Sequence, residues 1–277
     1  MVQWKKIKRK LLVLSKALRK FDDDHGFFLS SGITFNFLIC LIPLILLLLS
    51  LTGTYLFSSR EVLNHISYHL QNVVPSLDPE IMEDIMRIIR HRKIVGVLGI
   101  GGLIWTSTWV FSSLRTALNI VFQVEKGRGI FRGKAIDLLM VLLAGIFLLM
   151  SMALSSAVTF IQSYPFNQLL DMEPVTRFIL KYLIPLFFTF CMSLLIYKII
   201  PSKKVNLKPA LQAAFFTGLL WEVARHLFEW YVLHLGRFSM IYGSLSTLAI
   251  FFLWAYLSSA ILILGGEIAY LLEKGKF

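Results

Sequence analysis

The sequence GITFNFLICLIPLILLLLSLTGTYLF occupies residues 32–57 and contains no charged side chain. An α-helix needs about 20 apolar residues to cross the roughly 30 Å hydrocarbon core of a bilayer. This stretch is therefore long enough and apolar enough to form a transmembrane helix. Pro43 lies inside it, where we expect a kink rather than an end, because neighbouring helices can satisfy the backbone groups that a proline leaves unpaired.

Five further apolar stretches follow, so the sequence predicts a single all-α membrane domain with a six-helix transmembrane bundle. The six predicted spans are residues 32–57, 94–113, 138–162, 179–200, 211–234 and 245–272. The composition agrees with this class, since 57% of the residues are hydrophobic and only 16% are charged. A soluble domain carries about 25% charged residues.

A basic amphipathic helix is predicted over residues 1–21, before the first span. Its apolar residues recur at spacings of three and four, at Trp4, Ile7, Leu11, Leu14 and Leu18. Such a helix lies in the headgroup plane and favours anionic lipid; the alternative is a solvated tether. The three aspartates at 22–24 then end the pattern, and we expect a turn with a helix cap there rather than a metal site.

The distribution of basic residues predicts the orientation. Nineteen of the 28 Lys and Arg residues lie on the side of the predicted spans that carries the N-terminus, and eight lie on the other side. The positive-inside rule therefore places both termini of this multi-pass membrane protein in the cytoplasm. The net charge of +12 is thus a topology signal, and we expect anionic lipid headgroups rather than nucleic acid as partners.

The segment 58–93 is the only sizeable one predicted outside the cytoplasm. Its charges alternate with Ile and Met at helical intervals, so we expect one or two amphipathic helices that could contact a protein partner of the envelope. His65 and His69 are four residues apart and could share a helix face as metal ligands. No third ligand is in register with them, and the sequence predicts no metal and no cofactor.

Four ionisable residues lie within the fifth predicted span, at Glu222, Arg225, His226 and Glu229. Intervals of three and four place them on one stripe of a helix, where Glu222 can reach Arg225 or His226 and Arg225 can reach Glu229. A charged residue near mid-bilayer costs about 2.5 to 3.5 kcal/mol on insertion scales. We therefore expect the stripe to face the bundle interior or a water-filled cavity.

Two interpretations of this stripe compete. It could line a path for a charged cargo or relay protons, or it could be a self-neutralising network that fixes helix packing. One arginine against two carboxylates leaves a group in need of a partner, which favours the first interpretation. The candidate partners are Thr34, Asn36, Arg115, Asn119 and Glu267.

Glycines in the second and sixth predicted spans indicate close helix packing. They are Gly96, Gly99, Gly101, Gly102, Gly265 and Gly266.

Several fragments of the chain resemble the YihY/virulence factor BrkB family of bacterial inner-membrane proteins. They are Ser30–Asn36 with Leu41–Leu44, Trp105 with Ser112–Asn119, Gly218–Glu222 with Phe228 and Tyr231, Tyr242–Ser244, Leu253–Tyr256, and Gly265–Glu267. The resemblance implies six spans and a multi-pass protein of the bacterial inner (plasma) membrane. Members of this family have been linked to envelope integrity and proposed as transporters of lipid-linked or ionic cargo. Some family members carry a ribonuclease label, but this sequence has no carboxylate cluster or His pair suited to that reaction.

The sequence thus favours a transporter or flippase-like protein whose polar cavity is organised by the fifth span. A non-transporting structural or scaffold protein of the envelope is the alternative. A membrane-embedded enzyme is not expected, because the chain has no P-loop, GxSxG or HExxH motif.

Overall fold

A computed structural model describes residues 2–56, 92–163, 183–235 and 244–275. Apart from its last two residues, the segment predicted over 58–93 lies outside the described residues, as do His65 and His69. Residues 179–182 of the fourth predicted span also lie outside them.

The described residues form seven α-helices and no strand. The helices are α1 (Val2–Asp23), α2 (Gly26–Leu56), α3 (Arg92–Val121), α4 (Ile130–Ser163), α5 (Ile184–Ile199), α6 (Leu207–Leu235) and α7 (Ser244–Lys274). The all-helical architecture expected from the sequence is therefore confirmed for this part of the chain.

Four of the helices are long and apolar enough to cross a membrane. The candidate spans are Gly26–Leu51, Lys93–Val121, Ile130–Leu154 and Ser246–Lys274. Helix α5 is apolar but has 16 residues. Helix α6 has 29 residues and is long enough at a rise of about 1.5 Å per residue, but its ionisable side chains lower its apolar character.

The helices pack mainly in chain order. Each helix from α2 onward contacts the next one, and α7 returns to pack against α2, while α1 lies against α7 and α2. The buried core includes Leu118, Phe122, Met140, Tyr197 and Ile263. It lies towards the end of the bundle that holds α1 and the connections 122–129 and 200–206, which we call the α1 end.

Helices α3 and α4 extend beyond the apolar stretches from which they were predicted. Helix α3 continues past residue 113 to Val121, and α4 begins at Ile130 rather than at 138. The reason is an ion pair between the two helices, in which Arg115 Nε and Nη2 lie 3.1 and 3.0 Å from the carboxylate oxygens of Asp137. Because the two charges neutralise each other, both helices can continue through residues that interrupt the apolar pattern.

One face of α3 carries three glycines in contact with α2. A Cβ atom at Gly96 would lie 2.6 Å from a side-chain oxygen, and one at Gly99 would lie 3.1 Å from backbone. On α2, Ser50 faces Gly96, Leu47 faces Gly99 and Pro43 faces Gly102. The predicted close packing is confirmed at these positions, whereas Gly101 faces open space.

Helix α1 packs against the bundle along one side. Val13, Ala17 and Phe21 are buried, whereas Leu12 and Leu18 are exposed. The buried side is thus offset from the apolar stripe expected from spacing, because the helix is oriented by contacts with α7. The expected turn follows at Asp24 and His25, where His25 has a positive φ of 54°.

Candidate functional site

Helix α6 approaches its neighbours through a face of small residues. Ala213, Ala214, Thr217 and Gly218 are buried there. Small side chains let helix backbones come close together in a membrane. A Cβ atom added to Gly218 would lie 3.4 Å from Leu186 of α5, so this face fixes the position of α6 against α5.

Aromatic contacts fix the other side of α6 against α7. The rings of Trp221 and Trp254 are 5.5 Å apart, and those of Phe228 and Trp254 are 4.9 Å apart. Trp254 belongs to the candidate span Ser246–Lys274. The part of α6 around residues 221–228 therefore lies at the depth of an apolar span.

At this depth α6 carries a connected set of ionisable side chains, Glu222, Arg225, His226 and Glu229, which we call the charged stripe. The guanidinium of Arg225 pairs with the carboxylate of Glu222. The imidazole of His226 lies between two carboxylates, with Nε2 3.3 Å from Glu222 and Nδ1 3.9 Å from Glu229. Glu222 thus contacts both predicted partners, and Glu229 is contacted by His226.

The charged stripe runs from a half-buried to an exposed position. The exposed fraction of the side chain is 18% for Glu222, 44% for His226 and 66% for Glu229. The buried Nε of Arg225 has no hydrogen-bond acceptor among the described residues. Arg225 therefore has donor capacity that Glu222 does not use.

Apolar side chains lie beside the charged stripe on the exposed side of α6. Val223, Leu227 and Trp230 each expose more than half of their surface. The exposed surface of α6 at this depth is thus part apolar and part charged.

The other residues predicted as partners of the charged stripe contact different groups. Asn36 donates to the carbonyl of Gly32, and Thr34 to that of Ser30, both within α2. Asn119 accepts a hydrogen bond of 2.9 Å from the backbone N–H of Ser202. Thr34 and Asn36 therefore bind the backbone of their own helix, and Asn119 binds the backbone of the 200–206 connection.

Arg115 and Glu267 also lie away from the charged stripe, in buried polar contacts near the α1 end. Arg115 is paired with Asp137, whose side chain is buried. Glu267 is paired with Lys20 of α1 at 2.8 Å. The structure thus does not bring any of the candidate partners to the charged stripe through a contact between described residues.

A buried hydroxyl pair joins three helices in the same region. Tyr197 of α5 lies 2.8 Å from Thr217 of α6 and donates to the carbonyl of Leu262 of α7 at 2.9 Å. Because Gly265 has no side chain, there is room beside it for these two oxygens, and Gly266 packs against Leu118. The close contact predicted for the Gly265-Gly266 pair is therefore confirmed.

Exposed basic residues surround the α1 end. They are Lys16, Arg19, Lys126, Arg132, Lys134, Lys203 and Lys204, and we call them the basic rim. In the 122–129 connection, Arg128 donates to the carbonyl of Ile199 at 2.8 Å. Burial, and then the charge of Arg115, lower the pKa of Arg128 from its ordinary value.

Sequence reasoning missed Asp137, Lys20 and Asp24 as members of polar contacts. Asp137 directly precedes the third predicted span, and an isolated carboxylate at that position was a usable signal. Lys20 was counted only as one of the basic residues of the first helix. Within the described residues, no group of three or more His, Cys, Asp or Glu side chains is placed to hold a metal ion.

Comparisons with known proteins agree that the chain is similar to bacterial membrane proteins. The model of the virulence factor BrkB family matches residues 17–276. A UPF0761 membrane protein of Haemophilus influenzae is 23% identical over 261 residues, which are 92% of this chain and 93% of the relative. A UPF0761 membrane protein of Glaesserella parasuis is 27% identical over 202 residues, 73% of this chain and 70% of the relative. No solved structure matches the chain.

Proposed function

The chain belongs to the virulence factor BrkB family of bacterial membrane proteins, and from this premise we propose that it moves lipid headgroups across the inner membrane along the charged stripe. The observation that carries the proposal is the exposure of charged side chains at the depth of an apolar span. Neutralising these side chains and measuring lipid movement tests it.

The proposed topology has six crossings, formed by α2 to α7, with both termini in the cytoplasm. The excess of Lys and Arg on the side of the N-terminus supports it. All members of the basic rim lie at the α1 end, which we place at the cytoplasmic face, with α1 in the headgroup plane. Anionic headgroups are the partners we propose for the basic rim.

The charged stripe needs polar groups around it at the depth of an apolar span. Each charged side chain near mid-bilayer costs about 2.5 to 3.5 kcal/mol on insertion scales. Glu229 exposes 66% of its side chain, so it needs a polar neighbour outside the described residues. Water that accompanies a passing headgroup would supply that neighbour.

The amphiphilic surface of α6 favours a lipid over a fully polar cargo. A lipid can place its headgroup on the charged stripe while its acyl chains stay against Leu227 and Trp230, which are exposed beside it. The Arg225 guanidinium suits a phosphate, because it is a planar cation with several donors. Glu222 and Glu229 suit the cationic part of a zwitterionic headgroup.

Protons are a second candidate cargo. The observation that favours them is the position of His226 between two carboxylates, at 3.3 and 3.9 Å. An imidazole can accept a proton on one ring nitrogen and release one from the other, so it can pass a proton between such groups. This alternative uses the same side chains, so the test must measure lipid and proton movement separately.

The test uses purified protein in liposomes that contain a fluorescent phospholipid in both leaflets. A membrane-impermeant quencher reports scrambling as loss of fluorescence beyond the outer-leaflet fraction, and a trapped pH dye reports proton flux. We expect scrambling by the wild type and none by the double variant Glu222→Gln/Glu229→Gln. The matched control is Glu125→Gln, which neutralises an exposed carboxylate in the connection at the α1 end.

The outcomes distinguish the functions. Full scrambling by the double variant would overturn the role of the charged stripe. Proton flux without scrambling would replace the lipid by protons as cargo. If the folded wild type shows neither scrambling nor proton flux, transport is contradicted and a non-transporting scaffold of the envelope is favoured. No catalytic role is proposed in either case.

A further inference from the structure

The contact between α1 and α7 contains a buried cluster of three charged side chains. Lys20 Nζ lies 2.8 Å from Glu267 Oε2, 2.5 Å from Asp24 Oδ2 and 2.9 Å from the carbonyl oxygen of Val121. The lysine of α1 thus joins its own helix end to α3 and α7.

The cluster is nearly closed to solvent. The exposed fraction of the side chain is 0% for Glu267, 14% for Lys20 and 19% for Asp24. Oε1 of Glu267 is buried and has no hydrogen-bond donor among the described residues. A buried acceptor without a donor is unfavourable, and a negative charge on it adds to the cost.

The charges of the cluster do not balance. Two carboxylates face one ammonium, and the charged groups that act on Glu267 are Lys20 and Asp24 of α1. On α7 itself, Tyr270 and Lys274 both donate to Gln123.

Titratable groups of the other helices packed on α7 are engaged elsewhere. On α3, Arg115 is paired with Asp137 of α4, and on α5 the hydroxyl of Tyr197 is bonded to Thr217. Lys198 of α5 donates to the carbonyl of Val205. On α6, Lys208 is exposed and His234 contacts the carbonyl of Trp230, while the charged stripe lies beside Trp254 rather than beside Glu267. Lys20 is therefore the single cation that the described residues bring to the two carboxylates.

We infer that Asp24, Lys20 and Glu267 form a proton-binding site in which the two carboxylates hold one proton between them. Two carboxylates that contact the same single ammonium in a buried site do not ionise together readily, and a buried charge without a partner is strongly unfavourable. The proton removes one of the two negative charges of the buried cluster and leaves one carboxylate to neutralise Lys20.

Docking of α1 is coupled to this proton. When α1 packs against α7, one proton passes from water to the carboxylate pair, and when α1 leaves, the proton returns to water. Because the docked form holds the proton more tightly, docking is favoured at low pH and is weakened as the pH rises. The site therefore makes the position of α1 sensitive to pH. This inference does not depend on the cargo, because it concerns only the α1–α7 contact.

The test measures the position of α1 by double electron–electron resonance in nanodiscs. Spin labels are placed at Ser15 of α1 and at Glu125 in the 122–129 connection, both of which are exposed, after Cys40 and Cys191 are replaced by Ser. We expect the docked population of the parent protein to fall as the pH rises, following a single-proton titration.

Three variants define the site. Glu267→Gln and Asp24→Asn each remove one carboxylate, so α1 should stay docked and the titration should disappear. Asp23→Asn is the matched control, because Asp23 is the exposed neighbour of Asp24, and it should titrate as the parent does. Infrared spectroscopy provides a second readout, since the band of a protonated carboxyl should be present in the parent and absent from Glu267→Gln.

The inference is overturned if Asp24→Asn and Glu267→Gln titrate as the parent does. It is also overturned if the docked population of the parent does not change with pH and the infrared spectrum of the parent has no protonated-carboxyl band that is lost in Glu267→Gln. Should Glu267→Gln not fold, Asp24→Asn decides the question alone, because the side chain of Asp24 is at the edge of the cluster.

Discussion

Replacing Gly265 by Ala should destabilise the bundle, because the glycine leaves the space that the buried hydroxyl pair of α5 and α6 occupies. A Cβ atom at this position would overlap the hydroxyl oxygens of Tyr197 and Thr217 and would lie 3.0 Å from Cζ of Tyr197. Both side chains are fully buried and sit between three helices, so neither can move into solvent.

The magnitude follows from three contributions. Overpacking costs about 1–3 kcal/mol, and loss of the two hydrogen bonds made by Tyr197 costs about 1 kcal/mol each. Alanine regains about 1 kcal/mol of helix propensity. The net loss in the free energy of unfolding is therefore about 2 to 4 kcal/mol. In a chain of this size, each kcal/mol lowers the melting temperature by about 2–4 °C.

The assay is thermal unfolding of the purified protein in detergent, followed by size-exclusion chromatography of the heated sample. Gly101→Ala is the matched control, because a Cβ atom there meets nothing within 4 Å, and its melting temperature should equal or exceed that of the wild type. Adding Tyr197→Phe and Thr217→Ala to Gly265→Ala should restore part of the loss. Equal melting temperatures for Gly265→Ala and Gly101→Ala would refute the packing argument.

Three further variants test other contacts by the same melting assay. Asp137→Ala should lower the free energy of unfolding by about 3–5 kcal/mol, because it leaves the largely buried guanidinium of Arg115 unpaired. Exchanging Arg115 and Asp137 should recover part of this loss. A wild-type melting temperature for Asp137→Ala would contradict the pairing. Gly99→Val should cost about 1–3 kcal/mol, since a Cβ atom there would lie 3.1 Å from the backbone of α2, and a neutral result would argue against close packing. Asn119→Ala removes the acceptor of the Ser202 N–H and should cost about 1 kcal/mol, whereas an unchanged melting temperature would argue against that bond.

Apolar length and residue spacing predicted the features that depend on one helix or on the bilayer. The membrane class follows from stretches such as 32–57, and the family suggested by short motifs is confirmed by a match over residues 17–276. The contacts of Glu222 with Arg225 and His226 follow from helical spacing alone. Each of these features is determined by residues close together in the sequence.

Features that depend on contacts between helices were not accessible from spacing. The ends of α3 and α4 differ from the predicted limits because Arg115 and Asp137 neutralise each other across 22 positions of the sequence. Glu267 was expected near the charged stripe but pairs with Lys20 of α1. A buried charge requires a partner, but the sequence does not show which of several opposite charges the packing brings to it.

The most direct test of the proposed headgroup path is the local environment of α6 in a bilayer. Spin labels introduced singly at His226, Glu229, Val223 and Leu227 are compared for collision with a water-soluble nickel chelate and with oxygen, which concentrates in the acyl region. If the charged stripe lines a polar path, the labels at 226 and 229 will collide with the chelate, while those at 223 and 227 will collide only with oxygen. Oxygen accessibility alone at all four positions would show that hydrocarbon covers the charged stripe, and would contradict a polar path for lipid headgroups.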